Sequence, residues 1–178
     1  MNQDKIYFFG YGANRDVQKI GKILGKTPVS CTGAILEGYS LFYQKLEQIP
    51  DPAKGFLRSA WGEDFKAYTI NPGSGITAGV IWEITKEDLE IIKKWEFDGI
   101  WRQVINIEIK TFEGKKLSAF TDKAINSNDC AGFYDGLNYP NNLNNQEGIV
   151  SEAEVAKEDI YRIEKLRELR KELFVVQS

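Results

Sequence analysis

Residues Ile6 to Phe9 form a short β-branched and aromatic run that ends abruptly in Gly10-Tyr11-Gly12-Ala13-Asn14. Such a run reads as a buried strand. Two glycines so close together suit a bend whose backbone N–H groups face outward, with no Cβ in the way of a ligand. Asp16 is placed to cap a helix from Val17 to about Leu24, and Gly25 to stop it. Strand, bend and helix start form an anion cradle, because free amides and helix dipole point the same way. A bare β-to-α turn is the alternative reading. The stretch is neither a phosphate-binding Gly-Lys-Ser/Thr loop nor a full Gly-x-Gly-x-x-Gly, since Arg15 stands at the third glycine position.

The chain has 178 residues, enough for one domain with a real core. A net charge of −3 and a pI near 5.2 give no general argument for nucleic acid or an anionic membrane. No apolar run approaches the roughly 20 residues of a membrane span, and the N-terminal residues carry no signal-peptide pattern. A soluble cytoplasmic protein is expected. Histidine is absent, which removes Ser-His-Asp and Cys-His triads and imidazole acid–base chemistry. Cys31 and Cys130 form no close-spaced motif. Carboxylates, amines, hydroxyls or backbone amides must carry any catalysis.

The rest of the core reads as strands with few helices. Thr27 to Leu36 is a predicted strand that turns at Glu37-Gly38 and continues as a neighbour through Leu41 and Tyr43. Leu46 to Trp61 contains Pro50, Pro52 and Gly55 and is predicted as a loop. Lys66 to Ile70 is a strand closed by the turn cluster Asn71-Pro72-Gly73-Ser74-Gly75, and Ile76 to Ile84 returns with alternating apolar residues. Trp101, Gln103, Ile105, Ile107 and Ile109 share one face of a further strand; Arg102, Asn106, Glu108 and Lys110 share the other. Glu113-Gly114 turns it into Leu117 to Thr121. Residues 122–150 read as an irregular Asn-rich segment. Ser151 to Glu154 forms a capping box for a C-terminal amphipathic helix through residue 175, with a stripe of Val155, Ile160, Ile163, Leu166, Leu169 and Leu173. This helix packs on the core or pairs with a second copy in a homodimer.

One residue breaks the helical pattern. Thr85-Lys86-Glu87-Asp88 forms a capping box, and the helix then runs from Leu89 to Glu96. With Leu89 at 0°, Ile92 falls near about 300° and Glu96 near about 340°. Glu96 therefore lies within the apolar face, while Glu90, Lys93 and Lys94 lie opposite. An inward carboxylate beside Trp95 and Phe97 has its pKa raised above the usual value of about 4.3 and suits a proton shuttle. Its alternative is a frayed helix end whose carboxylate reaches water.

Two motifs together resemble a known family. Tyr7-Phe8-Phe9-Gly10-Tyr11-Gly12-Ala13-Asn14 resembles the Tyr-Gly-Ser-Asn signature of the γ-glutamylcyclotransferase-like superfamily. Leu89, Ile92 and Glu96 resemble its Leu-x-x-Leu-Asp-x-x-Glu helix, and Trp101-Arg102-x-x-Ile105-x-Ile107 its Tyr-Arg-x-x-Val-x-Val strand. The resemblance covers about residues 5 to 121 as a core, in the family's motif order. The elements read above, seven or eight strands with two or three helices, give an α+β domain, and the resemblance implies a small mixed β-barrel with helices packed outside. It implies release of 5-oxoproline from a small γ-glutamyl substrate without a cofactor. Glu96 would be the general acid/base; Tyr11, Gly12, Ala13, Asn14 and Trp101 would meet substrate. A related enzyme with a γ-glutamylamine or protein-bound leaving group, or a non-catalytic pocket binding a small molecule or protein partner, would share this fold. Five positions depart from the pattern: Ala13 for serine, Lys93 for aspartate, Phe97 for glycine, Trp101 for tyrosine, and Phe120 for a residue that often bears a hydroxyl.

Overall fold

Two long strands carry the architecture. β2 runs Cys31–Lys45 and β3 runs Lys66–Ile84, paired antiparallel from Cys31↔Trp82 to Lys45↔Lys66. Each was expected to be a pair of strands joined by a turn. The turn residues instead face one another across the ribbon: the ladder passes from Glu37↔Ile76 to Tyr39↔Pro72, with Gly38 (φ 83°) opposite the Pro72–Gly75 cluster. The chain bulges there and resumes pairing. Close approach explains the small residues, because a Cβ on Gly75 would lie 2.4 Å from Ser40 Oγ.

The computed structural model describes residues 4–29, 31–144 and 152–174. Within these, β1 (Ile6–Gly10) pairs antiparallel with β3 and parallel with β5 (Lys116–Ala124). β5 pairs with β4 (Arg102–Thr111) across the Glu113-Gly114 turn, and β4 meets β2. The β2–β3 pairing closes a five-stranded mixed barrel, and β6 (Gly132–Tyr134) adds outside on β2. The predicted barrel is therefore present, with six described strands and four α-helices. The strand count is lower than expected because the ribbon strands are continuous.

Helices pack outside. α1 (Val17–Leu24) starts where Asp16 accepts the amides of Gln18 and Lys19, and ends at left-handed Gly25. α2 (Ala53–Trp61) occupies the predicted loop. Its prolines precede the helix, where they are tolerated, and Ala53, Leu57 and Ala60 bury a stripe too small in volume to announce itself. α3 (Lys86–Trp95) has the predicted Thr85–Asp88 capping box. α4 (Glu152–Leu169) packs on α1 and α2 of its own chain. Ile163 and Leu166 are buried, but Leu169 is exposed and Asp159 takes a buried place in the stripe. The Ser151 cap lies outside the described residues, as does residue 175.

Successive side chains of β1 divide the core. Phe9 points into the barrel with Leu36, Leu41, Ile70, Ile81 and Ile109. Phe8 points out, where α1 and α3 cover it with Ile20, Leu89 and Ile92. A third cluster joins α2, α4 and the residues after α3, centred on Phe97 and Trp101. Among the described residues no helix is long and apolar enough to cross a membrane.

Phe97 has φ 56°, a left-handed conformation that glycine adopts freely, and is 3% exposed. Its ring lies 6.1 Å from Phe56 and 6.5 Å from Trp101. Replacing it with glycine relieves about 1–2 kcal/mol of backbone strain but forfeits about 3–5 kcal/mol of packing. Phe97→Gly should lower stability by a net of roughly 1–4 kcal/mol in urea unfolding; a stabilised variant would mean that backbone strain outweighs the ring.

Candidate active site

The Gly-rich bend is fixed from behind. The Asn14 carbonyl accepts the Trp82 indole N–H at 2.6 Å, and a Cβ on Gly10 would collide with that carbonyl at 2.5 Å. Only glycine lets the chain fold back this tightly. Ala13–Arg15 makes one 3₁₀ turn, closed by Arg15 N–H to Gly12 O and Asp16 N–H to Ala13 O. Among the described hydrogen bonds none uses the amides of Gly12, Ala13 or Asn14.

Asn14 is buried and its Nδ2 donates to Glu96 Oε1 at 3.2 Å. Glu96 caps the C-terminus of α3, its amide donating to Ile92 O at 2.9 Å, and its side chain is 16% exposed. The two predicted motifs therefore meet across 82 positions of sequence. Tyr11, Gly12, Ala13, Asn14, Glu96 and Trp101 all line one cavity of about 130 Å³. The Trp101 indole N–H donates to buried Gln44 Oε1 at 2.9 Å. Only its ring is left for the cavity.

The sequence reading missed the charged floor. It placed Arg102 on the polar face of its strand and Gln103 on the apolar one, whereas Arg102 is buried and Gln103 exposed. That end of β4 lies under helices, where a guanidinium is tolerated only with partners. Arg102 Nε pairs with Asp122, Nη1 donates to Tyr68 O at 2.8 Å, and Nη2 donates to Tyr11 Oη at 2.7 Å. Tyr11 O–H donates onward to Asp122 O at 2.5 Å. Arg102 Nε also lies 3.5 Å from Glu96 Oε2. A signal existed: the turn at Glu113-Gly114 sets Val104 opposite Asp122, which makes Arg102 and Asp122 diagonal neighbours of opposite charge.

Two opposed fields act on Glu96. Burial and then the Asp122 carboxylate push its pKa up; Arg102 and the Asn14 amide pull it down; the result is about 8. Burial alone would lower the Arg102 pKa, but Asp122, Tyr11 and Glu96 raise it, so the guanidinium stays charged. Burial raises Tyr11 far above the ordinary phenol range, and its hydroxyl stays protonated. Glu96 is thus poised between carboxylic acid and carboxylate near neutral pH, beside a guanidinium that stays charged.

The Asn-rich segment forms the roof. Asn144 accepts the Lys66 amide at 2.8 Å and donates to Lys66 O at 3.0 Å, as an added strand would. Tyr68 O–H donates to Pro140 O at 2.8 Å, and Tyr139 O–H to Tyr11 O at 2.8 Å. Beyond it, Lys19 Nζ pairs with Asp159 at 2.7 Å, both nearly buried, and Asn142 donates to the same carboxylate at 2.5 Å. Among the described residues no group of three His, Cys, Asp or Glu could hold a metal ion.

Phe120, one of the five departures, sits further along β5 beside Ile6, Lys86 and Leu89, and does not line this cavity. Lys93 pairs with Glu90 on the surface of α3 at 2.9 Å.

No protein-family model matches the chain, and no curated protein does. Solved structures do. The chain is similar to a gamma-glutamyl cyclotransferase at 20% identity and a TM-score of 0.52, over 67% of this chain and 66% of that one, a little under two thirds of its length. It is similar to an AIG2-like protein of Mus musculus at 14% identity and 0.53, over 82% and 99%. A protein of Arabidopsis thaliana aligns over 99% and 98% of the two chains, at 18% identity and 0.54. The chain has the fold of the γ-glutamylcyclotransferase-like superfamily.

A carboxyl group whose folded pKa stands above its unfolded value contributes stability below the unfolded pKa, and that contribution is lost as pH rises through the folded pKa. For Glu96 the window runs from about 4.5 to about 8. Glu96→Gln should therefore gain stability over wild type as pH rises from 5 to 9, by on the order of one to a few kcal/mol. Urea midpoints at the two pH values check this; an equal difference at both would mean that Glu96 titrates normally. Asp122→Asn removes a field that raises Glu96, so the Glu96 carbonyl-carbon NMR signal should then titrate below about 8.

Proposed function

We propose that this protein is a cyclotransferase acting on a γ-glutamyl compound. The observation that carries the reading is the Asn14–Glu96 contact: a carboxyl group pushed up to about 8, held at 3.2 Å by the Gly-rich bend inside a cavity. A structural neighbour that bears the name gamma-glutamyl cyclotransferase agrees with it.

In this reading the substrate's α-amine nitrogen attacks its own γ-carbonyl carbon. The new ring C–N bond forms, the old amide C–N bond breaks, and 5-oxoproline leaves with an amine. The nucleophile is already tethered, so the enzyme's work is to fold the glutamyl chain and move one proton. Ionised Glu96 takes the proton from the attacking nitrogen and returns it to the departing one. The Gly12–Asn14 amides face the glutamyl carboxylate or the developing oxyanion. Arg102, held by Asp122 and Tyr11, fixes the field in which Glu96 titrates.

The test is 5-oxoproline release from γ-glutamyl dipeptides, γ-glutamylamines and glutathione, with wild type beside Glu96→Gln. Loss of a general acid/base should cost about 10²- to 10⁴-fold in kcat. The wild-type rate should climb as pH approaches about 8, where Glu96 ionises, and Asp122→Asn should move that limb to lower pH. The substrate amine titrates in the same range, but it would not follow the Asp122 substitution. Full activity in a folded Glu96→Gln protein would remove Glu96 from the chemistry.

A further inference from the structure

Two of the cations that line the cavity are paired with carboxylates. Arg102 is met by Asp122, and Lys19 by Asp159, which Asn142 also holds. Lys66 lines the cavity too: Asn144 clamps its backbone, and its ammonium lies 5.9 Å from the centre of the Tyr43 ring, which is not part of the lining. Away from the Asn14–Glu96 end, the wall is Leu57, Trp61, Phe65, Trp95, Trp101 and Leu166. An aromatic wall can attract a cation. Here Arg102 already lies 5.0 Å from the Trp101 ring, and Lys19 adds a second positive charge to the same lining. A carboxylate beside this wall would be desolvated with Arg102 and Lys19 already committed, and an ammonium would be desolvated with Asp122 and Asp159 already committed.

We infer that the group carried on the γ-amide is uncharged and bulky: the cavity takes a γ-glutamyl amide of an aromatic or branched apolar amine, in preference to a γ-glutamyl amino acid or a γ-glutamyl diamine. The inference rests on the cyclotransferase reading for its chemistry, in which this amine departs with the proton that Glu96 delivers. It rests on the lining alone for its preference. Lys19 and Asp159 are specificity residues in this picture: paired, they close the roof against a second carboxylate.

Four compounds with one common head test it: γ-glutamyl phenethylamide, γ-glutamylphenylalanine, γ-glutamyl ethylamide and γ-glutamyl-1,4-diaminobutane. The phenethylamide should give the highest kcat/KM, by tenfold or more over each of the others. The dipeptide differs from it by a single carboxylate, so equal or faster turnover of the dipeptide overturns the inference, as does a rate for the ethylamide or the diamine within threefold. Calorimetric binding of the same four compounds to folded Glu96→Gln reads the ranking without turnover. Binding in the expected order with no 5-oxoproline from wild type would overturn the enzyme reading and keep the preference. Binding of none of the four, or tightest binding of a charged one, overturns the preference. Asp159→Asn, checked for folding by circular dichroism, leaves Lys19 without its carboxylate and should narrow the gap between phenethylamide and dipeptide at least threefold; an unchanged gap would remove this pair from selection, and the wild-type ranking decides the preference if the variant fails to fold.

Discussion

The Arg102 guanidinium is the interaction on which the site depends. It gathers Asp122 from β5, the Tyr68 carbonyl from β3 and the Tyr11 hydroxyl from the end of β1. Ladder bonds along the barrel wall and the Thr69 and Thr121 hydroxyls also join these elements. A buried ion pair gains little net stability over an apolar replacement, yet removing one partner strands the other at a cost of about 3–5 kcal/mol. Such a pair is therefore poor evidence for stability and good evidence for placement. Here it fixes three strand ends around one point and sets opposed charges beside Glu96. Without Asp122, Arg102 would pair directly with Glu96 and hold it ionised; without Arg102, Asp122 would keep it protonated. The intermediate pKa needs both.

Much of this was legible where local rules and tertiary demands agree. Asp16 and Gly25 bound α1 as their cap chemistry requires, and Thr85 and Asp88 start α3. Glu96 sits on the apolar face because helical periodicity survives to the last turn. The failures have physical reasons too. Pro72-Gly73-Ser74-Gly75 is turn chemistry in isolation, but its small residues serve a bulge between two strands that must come close. Ala53, Leu57 and Ala60 form a helix face whose small side chains give a weak hydrophobic signal beside two prolines. Arg102 defeated the alternation rule because burial of a charge depends on a partner 20 residues away. That partner is a tertiary fact, visible only after the hairpin register is assigned. The roof segment carries even less signal: the Asn144 side-chain amide mimics strand pairing with Lys66 and that of Asn142 holds Asp159, which no periodicity records.

The departures from the family pattern separate by position. Phe120 lies beside Ile6, Lys86 and Leu89, away from the cavity lining, so a missing hydroxyl there cannot change a substrate contact in it. Lys93 is on the outer side of α3. Phe97 occupies a backbone conformation made for glycine, and its ring joins Trp101 and Phe56 in the cluster behind the site. Ala13 and Trp101 are the two that touch the cavity. Ala13 removes a hydroxyl and leaves the backbone amide. Trp101 turns its N–H away to Gln44 and offers a ring face. Both changes delete a polar side-chain contact while leaving Glu96, Asn14 and the amides of the bend in place. In a cavity that pairs its own charges, losing polar contacts on the wall shifts recognition toward apolar groups without touching the carboxyl group that would move the proton. The departures and the matched charges therefore point the same way, and they bear on what the site selects more than on whether it can act.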